Sequence, residues 1–303
     1  MSRTATLYSR LKALNISCSE IVSMSTQTTI QTGGIASVVA YVKNNKELIN
    51  CIIEAKNQYV KYVVIGKGSN VIFSDMGFDG LVIVTNKMSN YSIEGNIIKA
   101  DCGVSLTKLA LEAQKASLTG LEFAYGIPGT VGGGVFMNAG AYGGNMSDVV
   151  VSSICFDTRS EKILKIDMDE HEFDYRESIY TKNPHLIILA VMLELKEGKM
   201  SDIIAEMNKN VRARKEKQPL EYPSAGSVFK RPLGHYAGEL IEKCGLKGYR
   251  IGDAEVSEKH AGFIINKGCA TSNDILKLIT HIKNTVLNEY NVELESEIRF
   301  IGD

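Results

Sequence analysis

The chain has no tryptophan, only five prolines, and six cysteines of which no two are closer than 25 positions. Without a CxxC pair or an HExxH, neither a disulfide framework nor a zinc site is expected, and no metal is assigned. No block of Lys/Arg interrupts a net charge of −1, so the basic face of a nucleic-acid binder is missing. The longest apolar run, Leu186 to Leu193, is far too short to span a bilayer. The opening residues MSRTATLYSRLKALNIS lack the apolar segment of a signal peptide. These absences point to a cytoplasmic protein that binds small molecules and inserts in no membrane. Its 303 residues allow two or three domains with real cores.

What the sequence does have is glycine, and glycine in one place. Gly126 to Gly144, GIPGTVGGGVFMNAGAYGG, holds eight glycines in nineteen residues. Such a run is expected to be neither ordinary helix nor strand, since each glycine raises the entropic cost of ordering and offers nothing to pack. A flexible linker would lack Ile127, Val131, Val135, Phe136 and Met137. The physical reason left is close backbone approach to a ligand, with N–H groups turned to phosphates or to a flat ring.

Along the chain, periodicity predicts a helix at Leu7 to Leu14, a strand at Ala36 to Val42, a helix at Asn45 to Tyr59 and a strand at Tyr62 to Ile65. Gly66-Lys67-Gly68-Ser69-Asn70-Val71 then begins like a dinucleotide fingerprint but runs into a strand. A tight turn and a phosphate cradle explain it equally well. Short strands and a helix at Ser105 to Ala116 lead to the glycine stretch, and strands at 149–156, 163–166 and 186–195 follow it. Glu197-Gly198-Lys199 marks a boundary. The expected division is an α+β domain of residues 1–197, split near 85, and a small α/β domain of residues 198–303. In the latter, a helix ends in Arg212-Ala213-Arg214-Lys215, a proline-bearing loop follows, a capping box opens a long helix at Thr271, and a last strand covers Val292 to Ile301.

Ser227-x-x-Lys230 has the spacing of a Ser/Lys acyltransferase, but the companion motifs are missing and Gly226 and Pro232 oppose a helix there. By pattern alone, Glu297 reads as a solvent-facing residue on an alternating strand and Arg176 as half of a surface ion pair.

Five blocks in order change that reading: GKGSNV at 66–71, GLEFAYGIPGTVGGGVFMNAGAYGG at 120–144, YRES at 175–178, PSAGSVFKRP at 223–232 and LESEIRFIG at 294–302. From Thr28 onward the chain resembles the UDP-N-acetylenolpyruvoylglucosamine reductase (MurB) family, in its shorter class without an inserted tyrosine loop. The resemblance implies a two-subdomain FAD-binding fold of the vanillyl-alcohol-oxidase type plus a C-terminal substrate domain. It also implies a cytoplasmic, monomeric enzyme of peptidoglycan precursor synthesis that uses NADPH. By matching positions, FAD would be held by Gly66, Lys67, Gly68, Ser69, Asn70 and Val71. The same matching adds Gly126, Ile127, Pro128, Gly129, Thr130, Gly133, Asn138, Ala139 and Gly140. Arg176 and Glu297 would stabilise an enolate-like species, Glu297 acting protonated or hydrogen-bonded to Arg176, and Ser227 would donate a proton. Lys217, Lys230, Arg231 and Arg214 would contact the sugar nucleotide, although many members of the family carry Asn where Arg231 stands. A related FAD-dependent sugar or alcohol oxidase shares the cradle but leaves AGSVFK and LESEIRF unexplained. The residues also admit a Ser/Lys acyltransferase or a non-catalytic binding module.

Overall fold

A computed structural model describes residues 2–302. Backbone packing groups the chain into two compact units. The first holds residues up to Ser19, Val38–Lys67 and Leu81–Arg214; the second holds Glu20–Ser37, Gly68–Gly80 and the chain from Lys215 onward.

In the first unit a five-stranded antiparallel sheet has the order Lys162–Asp167, Val150–Asp157, Leu186–Glu194, Ile97–Asp101, Tyr91–Glu94. The eight-residue apolar run forms its central strand, with Leu189, Val191 and Leu193 fully buried. Central position explains the unbroken hydrophobicity, since both faces are covered. Helix Leu106–Lys115 buries Leu106, Leu109, Ala110 and Ala113, the face its spacing predicts. The strand Tyr62–Ile65 runs parallel to residues Leu81–Val84 of the strand Phe78–Val84.

Three fully buried polar side chains join elements of this unit. Ser153 Oγ lies 2.7 Å from His171 Nε2 and 2.6 Å from the Tyr180 hydroxyl. Burial holds the His171 imidazole below its ordinary pKa and the Tyr180 phenol above its own.

In the second unit the strands Ser224–Ser227, Phe263–Asn266, Ala254–Val256 and Arg250–Ile251 form an antiparallel sheet in that order. Helix Ser272–Tyr290 buries Ile275, Leu278, Ile279, Ile282 and Val286 along one face. Each such side chain contributes about 1.5–3 kcal/mol on burial. The helix starts where expected: Thr271 and Asp274 form the capping box, and the Asp75 carboxylate accepts from Ser272 N at 2.8 Å and Asn273 N at 3.0 Å. Those two bonds tie the early segment 68–80 to the start of a helix 197 positions beyond Asp75.

One expectation is corrected. The last strand is only Arg299–Ile301, parallel to Val71–Phe73; the preceding residues make one isolated bridge, Phe229 to Ser296. Alternation alone cannot supply ladder partners. A strand that periodicity did not indicate, Ser17–Ser23, sits at a sheet edge beside Ile35–Tyr41. Edge position accounts for its polarity.

Because His171 is held neutral by burial, its contribution to stability is present above the unfolded imidazole value of about 6.5 and lost as pH falls through the lower folded value. The melting temperature is expected to fall between pH 7.5 and 5.5, and His171→Gln to flatten that fall. An unchanged slope in the variant contradicts the neutral assignment.

Candidate active site

Inside the glycine stretch, Val131–Phe136 is an α-helix, which overturns the expectation that no regular structure would form there. Thr130 caps it, its Oγ1 accepting from Gly133 N at 3.3 Å. The reason for the glycines is proximity to the chain itself. A Cβ on Gly132 would fall 2.7 Å from Cys102 Cβ, one on Gly134 3.2 Å from Leu106, and one on Gly144 2.6 Å from the Phe123 ring. Tertiary packing thus overrides poor helix propensity. The Cys102 thiol beside Gly132 is pushed up to about 12 by burial, so it packs and does not react. Gly133 differs: it is exposed, and a Cβ there would make only an ordinary 3.4 Å contact with Thr130.

The other candidates of this stretch are arranged around that helix. Gly126 takes φ +94°, gives its N–H to Thr107 Oγ1 and faces the Arg214 guanidinium. Ile127, Pro128 and Gly129 form a turn closed by Gly129 N to Ile127 O at 2.8 Å, with Pro128 exposed. Ala139 N returns to Gly134 O. Asn138 Nδ2 donates to Asp174 O at 3.0 Å while its Oδ1 accepts from Ser147 N.

That bond leads to Arg176. Asp174 and Glu177 exchange two backbone bonds of 3.1 Å, making a tight turn in which Arg176 takes φ +61°. Its guanidinium reaches Gly140 O at 3.2 Å and Asn138 O at 3.5 Å. Ser178 Oγ adds a bond to Phe136 O at 2.8 Å. Arg176 and the end of the glycine stretch are therefore one assembly.

The 66–71 loop is a tight turn whose geometry also suits a cradle. Gly66 lies so close to Thr130 that a Cβ would overlap its side chain, and Lys67 Nζ donates to Ser105 Oγ at 2.9 Å. Gly68 takes φ +63° against Gln27 O. Among the described residues no protein acceptor takes the N–H of Lys67, Gly68, Ser69 or Asn70. Successive unspent N–H groups around a positive-φ glycine suit an anionic oxygen, so the loop fits the diphosphate of FAD.

In the second unit Ser227 ends the strand Ser224–Ser227, after Gly226 at φ +82°. Glu297 N donates to Val228 O at 2.8 Å, Lys230 N to Glu295 O at 2.9 Å, and Asn70 Nδ2 to Glu297 O at 3.2 Å. Ser227, Lys230, Glu297, Asn70 and Val71 are thus neighbours. Ser227 Oγ is only weakly engaged, 3.4 Å from Phe229 O. Lys230 pairs with Glu295 at 2.7 Å, and the Arg231 guanidinium stacks 4.0 Å over Tyr236. Lys217 closes helix Met200–Lys217, exposed.

Spacing did not single out two side chains here. His260 lies with Ser227 around Gly262; its Nδ1 accepts from Gly262 N at 3.0 Å, which leaves the proton on Nε2. Burial, aided by Lys217 and Lys247, keeps it below the usual imidazole pKa. Tyr142 lies under the Arg214 guanidinium at 5.6 Å. His260 sits in no motif whose spacing implies chemistry, and Tyr142 lies inside the glycine stretch, whose signal is in its glycines. Among the described residues no cluster of His, Cys, Asp and Glu could hold a metal, and no helix is long and apolar enough to cross a membrane.

Cradle and fold together define an FAD-containing oxidoreductase: residues 36–166 match the FAD binding domain family, and residues 218–301 match the UDP-N-acetylenolpyruvoylglucosamine reductase C-terminal domain. Enzymes named UDP-N-acetylenolpyruvoylglucosamine reductase from Clostridium novyi and Caldicellulosiruptor bescii are each 45% identical, over 93% and 91% of this chain and 91% and 88% of their own. The crystal structure of the reductase (MurB) from Thermus caldophilus superposes with a TM-score of 0.80 at 35% identity, covering 95% of this chain and 99% of that one. The chain belongs to the UDP-N-acetylenolpyruvoylglucosamine reductase family, and with it comes the expected α+β FAD-binding fold with a C-terminal domain.

The two glycines separate packing from ligand approach. Gly132→Ala is expected to lower unfolding stability by about 1–3 kcal/mol despite the better helix propensity of alanine. Gly133→Ala should be neutral or gain up to about 1 kcal/mol in the flavin-free protein. Equal effects in urea unfolding contradict the packing account.

Proposed function

We propose that this chain reduces the enolpyruvyl group of UDP-N-acetylglucosamine enolpyruvate to UDP-N-acetylmuramate with NADPH, a step in peptidoglycan precursor synthesis. The observation that carries the reading is the adjacency of Ser227 and Glu297, through Glu297 N to Val228 O, in a member of this family. Residues 1–197 serve as the cofactor part and 198–303 as the substrate part. The loop Gly66–Val71 holds the FAD diphosphate, and Gly126 to Gly140 forms the wall beside the ring.

FAD held by these residues would supply the two-electron chemistry that links NADPH to reduction of the enolpyruvyl double bond. The remaining chemistry belongs to the protein. As hydride arrives at the terminal vinyl carbon, negative charge develops on the adjacent carbon and its carboxylate, and a prepositioned cation stabilises it best. Arg176 fills that role, its guanidinium already fixed on two carbonyls. Glu297 acts in its protonated form as a hydrogen-bond donor, since an ionised carboxylate would oppose the charge. Ser227 gives its proton to that carbon, completing addition of one hydride and one proton across the double bond. A hydroxyl is a weak acid, and the neighbouring Lys230 ammonium offsets the resulting alkoxide. Lys217, Arg214, Lys230 and Arg231 hold the diphosphate and carboxylate of the substrate.

The enzyme works as a cytoplasmic monomer. Six free cysteines, four of them buried, suit a reducing compartment.

Ser227→Ala is expected to leave bleaching of the flavin by NADPH within about twofold and to slow reoxidation by the enolpyruvyl nucleotide at least about 100-fold. Equal loss in both half-reactions, followed by anaerobic stopped-flow absorbance, removes Ser227 from the proton-donor role.

A further inference from the structure

We propose that Ser153 is a positioning residue for Arg176, its hydroxyl locking both feet of the arch His171 to Tyr180 whose apex presents the guanidinium. The inference rests on the assignment of Arg176 above.

Ser153 lies on Val150–Asp157, a strand paired on both sides within the five-stranded sheet. It is a fixed point. Its hydroxyl meets His171 Nε2 at one foot and the Tyr180 hydroxyl at the other, and none of the three side chains is exposed. In a buried site each hydroxyl must both donate and accept where it can. Ser153 Oγ bonds both His171 Nε2 and the Tyr180 hydroxyl, so a single chain of hydrogen bonds through the serine closes the arch at its base.

From His171 the backbone rises through Glu172 at φ +47° to Phe173, whose ring stacks on the imidazole at 4.9 Å and 3°. The Asp174–Glu177 turn follows, with Arg176 near its tip. The chain returns through Ser178, which caps the helical turn Ile179–Lys182 that carries Tyr180. Only six residues separate His171 from Ser178, so movement of either foot passes directly to the guanidinium on Gly140 O. None of Ser153, His171 and Tyr180 is exposed, so none of them meets substrate directly. Their contribution to the reaction is therefore through Arg176, and misplacement of such a group by about 1 Å can cost about 100-fold.

The test combines a double-mutant cycle with amide exchange. Ser153→Ala should slow flavin reoxidation by the enolpyruvyl nucleotide about 10- to 100-fold while NADPH bleaching stays within about twofold. Tyr180→Phe, which keeps the volume and removes one tie, should slow the same half-reaction about 3- to 10-fold, and it serves if Ser153→Ala does not fold. In an Arg176→Ala background Ser153→Ala should add less than about twofold. In the flavin-free Ser153→Ala protein, amide exchange over residues 172–178 should quicken about tenfold while Val150–Asp157 is unchanged. Multiplicative losses in the double variant, equal slowing of both half-reactions, or unchanged exchange over 172–178 overturns the proposal. An unimpaired Arg176→Ala enzyme instead overturns the role of Arg176 and this inference with it, and is told apart because the arch still loosens in exchange.

Discussion

Backbone approach closer than any Cβ permits is the constraint on which this structure depends. Gly132 against Cys102 and Gly66 against Thr130 bring a glycine helix, a strand end and the 66–71 loop into one layer. With that layer set, Thr130 caps the helix, Gly140 O and Asn138 O come within reach of Arg176, and the unspent N–H groups of 67–70 follow from the turn at Gly68. Packing and ligand binding are thus two uses of the same property. Glycines that face the chain keep the fold, and the exposed Gly133 leaves room outside it.

Each unit has its own preorganised polar groups. The first holds a glycine helix and a cation, Arg176, whose side chain is anchored at its far end by backbone carbonyls. The second places a weakly engaged serine hydroxyl next to a carboxyl-bearing segment, with Asn70 tied to Glu297 O. Preorganisation of this kind costs nothing at the moment of reaction, which is where electrostatic stabilisation gains its advantage over water.

Much of this was legible in the sequence because it is local. The faces of Leu106–Lys115 and Ser272–Tyr290, the capping box at Thr271 and the apolar central strand all follow from periodicity and end signals. The helix Val131–Phe136 did not, since propensity argues against three consecutive glycines and only distant Cys102 and Leu106 reveal why they are there. Nor did the company kept by 68–80, which is decided by Asp75 on a helix beginning at residue 272. The site blocks were visible as motifs, while Ser153, His171, Tyr180 and His260 belong to no motif. Their roles come from contacts across many residues of chain, which spacing does not encode.

The most direct measurement of the central claim is the absorbance spectrum of the purified protein through one anaerobic cycle. The account predicts a yellow protein with flavin bands that bleaches on NADPH and recolours when UDP-N-acetylglucosamine enolpyruvate is added. A colourless protein that takes up no FAD, or a bleached one that the enolpyruvyl nucleotide does not recolour, contradicts it.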